Sequence, residues 1–436
     1  MKHIRLALLL CLMFVVLAVS APGRATAGAQ VDARAARAAG QVAEGAFSVC
    51  GADLPHQNSA AVYRICRPPW WWNRNGDLVI WAHGFVEPSE PVAIPEDQLC
   101  IPGSICIPDV VNFLGYDFAT TSYSKNGLAV QEGIADVVEL VDLYAAQYGQ
   151  PNNVYLVGAS EGGIITALSL ERYPQVFDAG LATCGPVGDF PGQINYFGDF
   201  RAVFDYFFPG LVPGSPINIP SSLIADWDNY YDTTVLPVLQ DPANRDLVRQ
   251  LVRVTRIPYD VNDLAATVEQ SISEVLWYNI VATNDATVVL GGQPFDNVNR
   301  VYSGSNDDAA LNAGVARYAA DPAAVQAMQS LYQTSGSLIN PVVTLHTRLD
   351  QQVPYRHEVL YLQKTMQSGA WPTLHQNFPP PDRYGHCMFT TDEVLDAFNL
   401  MLSMASSTAL NPAHVDALLA ELGAQGEAVP LHRIGR

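Results

Sequence analysis

Apolar residues follow two alternating patterns along the first half of the chain. Short continuous runs rich in β-branched and aromatic residues are typical of strands buried on both faces of a parallel sheet. They lie at 62–65, 78–82, 116–122, 154–157 and 179–183. Between them are helical patterns, one with an apolar stripe formed by Val130, Ile134, Val138, Val141 and Tyr144. Alternation of strands and helices predicts an α/β fold with a mostly parallel sheet and right-handed crossovers.

The alternation stops after Cys184 and resumes near residue 337. The intervening segment, 187–336, carries only helical patterns, so we interpret it as a helical cap inserted between two sheet strands. After it, strands are predicted at 342–346 and 373–378, with helices at 355–367 and 392–405; Thr390 and Glu393 form a capping-box pattern at the last helix. The predicted organisation is a core of 28–186 and 337–410, the cap of 187–336 and a C-terminal tail of 411–436.

The cap begins with an aromatic-rich stretch, 196–208. Its side chains could line a substrate pocket under the cap or form the core of the cap. Because buried aromatic residues mostly pack against one another, we favour the core interpretation.

The N-terminus has the pattern of an export signal. Lys2 and Arg5 precede an apolar run at 6–19, and Ala25-Thr26-Ala27 offers a small-residue cleavage site. A membrane anchor needs about 20 apolar residues, more than this run contains. We therefore predict that 1–27 is a cleaved signal peptide and that the protein is secreted, extracellular or periplasmic, without stable membrane insertion.

Composition and charge narrow the class of partner. Of the 436 residues, 49% are hydrophobic and 15% are charged, a globular composition. Removal of 1–27 leaves 20 basic and 43 acidic residues, a net charge of −23. Such a surface repels nucleic acid and anionic lipid and favours a neutral or cationic substrate. The acidity also serves solubility, and that simpler interpretation is preferred.

Six cysteines remain after removal of the signal peptide, and an even number in an exported chain predicts disulfides. They allow fifteen pairings. Cys100 and Cys106 are close enough to close a small loop, and Cys50 with Cys66 is the next local choice. These two bonds would leave Cys184 with Cys387; the alternative is a free, buried Cys184.

The strongest chemical signal is Gly158-Ala159-Ser160-Glu161-Gly162, which lies between a predicted buried strand and a predicted helix. This is the context of a nucleophile elbow, in which a tight turn lifts a serine hydroxyl above the sheet. Glycines at the flanking positions avoid clashes with neighbouring backbone. The turn also sets the hydroxyl at the amino end of a helix, where negative charge is favoured. We predict Ser160 as the nucleophile.

A serine hydroxyl needs a base, and in this arrangement the order along the chain is serine, acid, histidine. Asp350 follows the predicted strand 342–346, and His386 follows the last strand. Both lie at carboxyl ends of strands, the edge where ligands bind in such sheets. His357 and His375 fall inside a helix and a strand and are interpreted as packing residues.

Other site residues follow from position. The backbone N–H groups of Glu161 and Phe85 are the expected oxyanion donors, because one follows the nucleophile and the other lies in the loop after an earlier strand. Tyr123 and Ser124, at a strand's carboxyl end, are candidate substrate contacts. His83 is interpreted as structural. The acidic turn 306–308 has too few oxygen ligands for calcium, and no metal or cofactor is predicted.

These segments together resemble the α/β-hydrolase superfamily over about 61–185 and 337–406. The motifs at 72–78, 82–84, 122–127 and 184–188 resemble a group of exported bacterial α/β-hydrolases with a large cap. The chain is more distantly similar to tannase and feruloyl-esterase enzymes, which join a cysteine before the serine to one after the histidine. Here Ala159 precedes Ser160, so that bridge cannot form, and we predict a Cys184–Cys387 bond instead.

The resemblance implies a serine hydrolase that cleaves carboxylic esters, small or polymeric, through an acyl-enzyme on Ser160. The main alternative is a serine peptidase or amidase of the same fold, similar to prolyl oligopeptidases; an acyltransferase is third. Peptidases of this kind often need an acidic subsite for a charged amine, and no acidic cluster in the cap clearly supplies one. A catalytically inactive binding module is disfavoured by the complete set of candidate groups.

Overall fold

A computed structural model describes residues 47–100, 106–406, 410, 414–415 and 429–430. The predicted signal peptide, 1–27, and most of the predicted tail, 411–436, lie outside the described residues. In the part of the chain that is described, no helix combines the length and apolar character needed to cross a bilayer.

A nine-stranded sheet forms the centre of the fold. Its order is β1-β3-β5-β4-β6-β7-β8-β9, with β2 pairing beside β3. The pairs from β5 to β9 are parallel, whereas β1, β2 and β3 are antiparallel to their neighbours. The strands are β1 (Val49–Cys50), β2 (Leu54–Pro55), β3 (Val62–Arg67), β4 (Leu78–Ala82), β5 (Asp117–Thr121), β6 (Val154–Ala159), β7 (Ala179–Thr183), β8 (Val342–Leu345) and β9 (His375–Asn377).

Helices cover both faces of this sheet, because its central strands are apolar on both sides. All residues of β4, β5, β6, β7 and β8 are buried. One face packs against helices that carry the predicted stripe, and the other against the last long helix. The core helices are α1 (Glu96–Leu99), α2 (Ile107–Phe113), α3 (Val130–Tyr148), α4 (Glu161–Arg172), α13 (Arg356–Ser368) and α14 (Thr391–Met404), and a second sheet pairs β10 (Met388–Phe389) with β11 (Val429–Pro430). Thr390 and Glu393 form the predicted capping box at α14.

The segment between β7 and β8 is helical, as predicted, and has an apolar core of its own. Phe200, Phe204, Leu251, Leu276 and Ile280 belong to that core and are all at most 1% exposed. Its helices are α5 (Phe190–Phe207), α6 (Ser221–Ile224), α7 (Trp227–Tyr230), α8 (Leu236–Gln240), α9 (Arg245–Thr255), α10 (Leu264–Val289), α11 (Asp308–Gly314) and α12 (Pro322–Ala327), with π-helical turns at Tyr231–Val235 and Met328–Tyr332 and 3₁₀ turns at Pro242–Asn244 and Val261–Asp263.

Three disulfides join the six cysteines expected in the exported chain. Cys50 bonds to Cys66 and Cys100 to Cys106, each closing a local loop. Cys184 bonds to Cys387 across 203 residues of sequence. This third bond ties the end of β7 to the segment that follows His386.

Candidate active site

The nucleophile elbow is built by close backbone approach. Ser160 lies between β6 and α4 with φ 58° and ψ −119°, a left-handed conformation that costs a non-glycine residue free energy. A Cβ atom on Gly158 would collide with the carbonyl of Gly162, and one on Gly162 would collide with the carbonyl of Ala82. The turn can therefore form only with glycine at both positions.

The two residues expected to supply the oxyanion donors, Glu161 and Phe85, line the same cavity as Ser160. Glu161 is the first residue of α4, where backbone N–H groups have no partner within the helix. In the loop after β4, the N–H of Gly84 donates to Gln98 at 2.7 Å. Phe85 lines the same cavity as Ser160 and Glu161. This arrangement leaves Phe85 as the loop's candidate donor.

Asp350 and His386 are brought together by two loops that run side by side. Leu349 pairs with Tyr384 as a parallel bridge, and Thr347 Oγ1 donates to the Gly385 carbonyl at 2.5 Å. His386 Nδ1 lies 2.7 Å from Asp350 Oδ2, in the geometry of a hydrogen bond from the ring N–H to the carboxylate. The aspartate thus orients the imidazole, as an acid–histidine pair requires.

Asp350 is 0% exposed and depends on its partners to carry charge. Its Oδ1 accepts the backbone N–H groups of Gln352 and Val353, both at 2.9 Å. Burial alone would raise the pKa of Asp350, but the charge of His386 and the hydrogen bonds from His346 and His386 outweigh it and lower the pKa to about 2. The carboxylate is therefore ionised across the neutral range.

Ser160 lies at the same edge of the sheet, where its backbone is hydrogen-bonded to the end of β7. The N–H of Ser160 donates to Thr183 O at 3.0 Å. Cys184 follows Thr183 and is bonded to Cys387, with Cα atoms 5.4 Å apart. Because Cys387 follows His386 directly, the disulfide holds the histidine loop next to the strand that flanks the serine. Backbone contacts thus bring Ser160 and His386 to one end of the sheet.

A mostly apolar cavity opens above Ser160. Its walls come from the core and from α5 and α10 of the cap. Glu161 is the only acidic or basic residue among those that line it, and burial raises the pKa of its carboxyl to about 8. The cavity is consequently uncharged at neutral pH. Aliphatic and aromatic residues dominate the wall: Phe85, Leu128, Val130, Ile164, Phe190, Ile194, Phe197, Ile217, Tyr278, Ala282, Ala286, Phe295 and Val353.

The cap is hydrogen-bonded to both catalytic loops. On α10, Glu274 Oε2 accepts the side-chain amides of Gln351 and Gln352 at 2.5 and 2.7 Å. Ser271 Oγ lies 2.9 Å from the hydroxyl of Tyr384, two residues before His386. These contacts make helix α10 part of the support of the acid and histidine loops.

The predicted substrate contacts Tyr123 and Ser124 do not line the cavity. Tyr123 is 0% exposed with φ 55°, its ring stacks on His83, and its hydroxyl donates to His83 O at 2.9 Å. The N–H of Ser124 donates to Asp136 at 2.7 Å. The left-handed backbone places the Tyr123 ring against His83, so a substrate contact for Tyr123 or Ser124 stays a prediction.

Two further predictions for this region concern the role of His83 and the location of the aromatic stretch 196–208. His83 is buried, and burial lowers its pKa to about 4, in keeping with a structural role. In the aromatic stretch, Phe200 and Phe204 pack in the cap core, as favoured, whereas Phe197 lines the cavity. The two interpretations of that stretch therefore apply to different faces of one helix.

Three residues of this region were missed from the sequence: His346, Glu358 and Glu274. His346 Nε2 lies 3.3 Å from Asp350 Oδ2, and Glu358 lies beyond His346. The spacing of His346 four residues before the acid was the one available signal. For Glu274 there was none, because its partners belong to a distant part of the chain.

Comparison with known proteins gives partial similarities. A model of the prolyl oligopeptidase family matches residues 111–189, a minority of the chain. A search of curated protein sequences gives no significant match.

Several solved structures are similar in part. Feruloyl esterase B from Aspergillus oryzae is 12% identical with a TM-score of 0.46, over 78% of this chain and 74% of that chain. An esterase from Aspergillus oryzae is 13% identical with a TM-score of 0.44, over 78% and 72%. An acylaminoacyl peptidase from Pyrococcus horikoshii is 8% identical with a TM-score of 0.41, over 89% and 43%.

The strand order, the antiparallel pairing of β3 with β5 and the serine elbow after β6 together define the class. The chain is an α/β-hydrolase in fold, and the resemblance drawn from the sequence is confirmed at that level.

Proposed function

We propose that the protein is an exported serine hydrolase that cleaves carboxylic esters with an uncharged, apolar acyl group. The observation that carries this proposal is the Asp350–His386 pair, 2.7 Å apart at the sheet edge that also holds Ser160 in a strained elbow. The apolar cavity above Ser160 supports the choice of acyl group. Three disulfides are consistent with an oxidising compartment, where exported proteins act.

In the proposed reaction, His386 takes the proton of Ser160 as the hydroxyl oxygen attacks the ester carbonyl. The N–H groups of Glu161 and Phe85 bind the oxyanion of the tetrahedral intermediate. His386 then gives the proton to the leaving alcohol, and the acyl group remains on Ser160. A water molecule, activated by His386, attacks the acyl-enzyme and releases the acid.

Peptide or amide cleavage is the second candidate, because the family match at 111–189 is to prolyl oligopeptidases. The cavity argues against a subsite for a free amine. Glu161 is its one carboxyl group, and it is uncharged at neutral pH. An ammonium group would therefore enter an apolar space without a counter-charge, which is unfavourable.

A fluorophosphonate probe tests the nucleophile, and two substrate series test the class. We expect the wild type to be labelled and Ser160→Ala to be unlabelled; Ser169→Ala, a buried serine of the same helix, should keep labelling. Hydrolysis of p-nitrophenyl esters should exceed that of aminoacyl anilides. An unlabelled, folded wild type would refute the serine hydrolase, and faster anilide cleavage would favour the peptidase.

A further inference from the structure

His346 lies directly after β8 and is enclosed by acceptor oxygens. Its Nε2 is 2.7 Å from Val353 O and 3.3 Å from Asp350 Oδ2. Its Nδ1 is 3.5 Å from Glu358 Oε1. The side chain is 0% exposed. Both ring nitrogens therefore face oxygen atoms that can only accept hydrogen bonds.

A neutral imidazole has one N–H donor and one acceptor nitrogen. Placed here, it would direct a lone pair at the oxygen of a carbonyl or a carboxylate. An imidazolium carries an N–H on each nitrogen and a positive charge, so it is attracted to the oxygen atoms on both sides; towards Glu358 the contact is an ion pair at 3.5 Å. The geometry alone thus favours the doubly protonated ring.

The second carboxylate is as firmly held as the first. Glu358 is 3% exposed, and its Oε2 accepts Thr344 Oγ1 at 2.6 Å and Asn377 Nδ2 at 2.5 Å. Among the ion pairs of the described residues, no lysine or arginine reaches Asp350 or Glu358. Two buried carboxylates without a cation between them would repel each other at high cost.

We propose that His346 is an imidazolium bridging Asp350 and Glu358, and that it acts as a positioning residue for the Asp350–His386 pair. This inference rests on the proposed function, because it assigns a role within that reaction. The His346 cation and His386 both contact Asp350 Oδ2. The cation therefore holds the Asp350 carboxylate in place and weakens its electrostatic attraction for the His386 imidazole.

The surrounding titratable groups cannot take over this charge. His357 Nδ1 accepts the N–H groups of Gly188 and Asp189 at 3.3 and 3.2 Å, so that ring is neutral. Burial lowers the pKa of His375 to about 4. Tyr355 presents only its ring, 6.0 Å from that of His346. Arg356 donates to Gly192 O, away from the pair.

The pKa of His346 agrees with the geometry. Burial alone would lower it, but the hydrogen bonds to and charges of Asp350 and Glu358 outweigh burial and raise the pKa to about 10. The ring stays protonated throughout the range in which His386 must act as a base.

If His346 is charged, the single variant His346→Gln should shift the pH profile of kcat/KM, and the double variant His346→Gln/Glu358→Gln should reverse that shift. In His346→Gln, Glu358 is left unbalanced near the triad, and protonation of His386 becomes easier. We expect the acid limb of kcat/KM to move up by about one pH unit, the size expected for a unit charge a few ångströms away. The value of kcat should fall about tenfold with little change in KM.

In His346→Gln/Glu358→Gln both charges are removed together. The acid limb should return most of the way to its wild-type position. A merely structural role for His346 would give an unmoved limb in the single variant, or a double variant whose limb does not return. Either result would overturn the proposal.

Nitrogen-15 NMR of the wild-type imidazoles tests the charge without activity or a variant. We expect His346, assigned in the wild-type protein by three-dimensional spectra, to show two protonated ring nitrogens at pH 8.5. A neutral ring there would refute this inference even if esters are hydrolysed. If no ester or anilide is cleaved but the ring is charged, the proposed function fails and the bridge stands.

Discussion

The candidate active site has two walls that differ in chemistry. The sheet edge is polar, and its groups are fixed: Asp350 accepts two backbone N–H groups and two imidazoles, and a disulfide holds the histidine loop. The cap wall is apolar and contacts the cavity through side chains such as Phe197 and Ala282. Precise polar placement serves transition-state stabilisation, whereas apolar shape serves selection of the acyl group. Changes in the first wall should therefore lower kcat, and changes in the second should alter substrate preference.

The largest effect should come from Asp350→Asn. An amide at this position would present an N–H group to Nδ1 of His386 and favour the wrong tautomer. We expect kcat/KM for a p-nitrophenyl ester to fall about 10³–10⁴-fold with the fold unchanged by circular dichroism. Asp382→Asn is the matched control, because its side chain is 82% exposed in the neighbouring loop. Equal activity of the two variants would show that Asp350 is not part of the active site.

A smaller effect, confined to long acyl chains, should follow Ala282→Phe on α10. The added ring occupies the cavity, and a misfit of one or a few methylene groups costs about 10–100-fold in kcat/KM. Acetate esters should change by less than about threefold. Val288→Phe, on the same helix but 80% exposed, should leave the chain-length profile unchanged. A uniform loss across all chain lengths would show that the cap wall does not select the acyl group.

Removal of the long-range disulfide should affect stability and placement together. In Cys184→Ala/Cys387→Ala we expect the free energy of unfolding to fall by about 2–5 kcal/mol and kcat by about tenfold. The double variant avoids a free thiol. Cys100→Ala/Cys106→Ala, which removes a local loop, should leave kcat near its wild-type value. If both pairs lowered kcat equally, the bond at Cys387 would have no special role in holding His386.

The smallest effect on activity should come from the one ionisable group in the cavity. The pKa of Glu161 is raised from its usual 4.5 to about 8, so this carboxyl adds stability that is full below pH 4.5 and is lost as the pH rises through 8. The wild type loses this stability as the pH rises, whereas Glu161→Gln does not. The free energy of unfolding of Glu161→Gln, measured relative to wild type, should therefore increase from pH 5 to pH 9. Activity on apolar esters at pH 9 should rise about two- to fivefold relative to wild type. A difference independent of pH would contradict a buried, neutral Glu161.

Local patterns accounted for most of the fold. The apolar runs that form β4, β6 and β7 are buried on both faces. Consecutive apolar residues in the sequence are enough to predict such strands. The elbow at Ser160 is equally local, since close approach of backbone explains both of its glycines. The direction of a side chain at the end of a strand cannot be predicted from the neighbouring sequence. Tyr123 lies where a substrate contact could be, but a left-handed φ turns it into the core.

Contacts between distant elements were beyond the sequence. The bridge from Glu358 through His346 to Asp350 joins α13 to the loop after β8, and the four-residue spacing of His346 and Asp350 marks only one half of it. The hydrogen bonds that Gln351 and Gln352 donate to Glu274 join residues 77 and 78 positions apart. Such pairs follow from tertiary packing, which fixes partners only after the elements have assembled.

The hydrogen bonds of α10 to both catalytic loops constrain how a substrate can enter. A cap that swung away would break the contacts of Glu274 and Ser271 and release the segments that carry Asp350 and His386. Under the proposed function, these contacts favour a roof that stays in place while an ester passes beneath it. Slender esters are then expected to enter more readily than bulky polymer surfaces, which would be reached only at protruding ends.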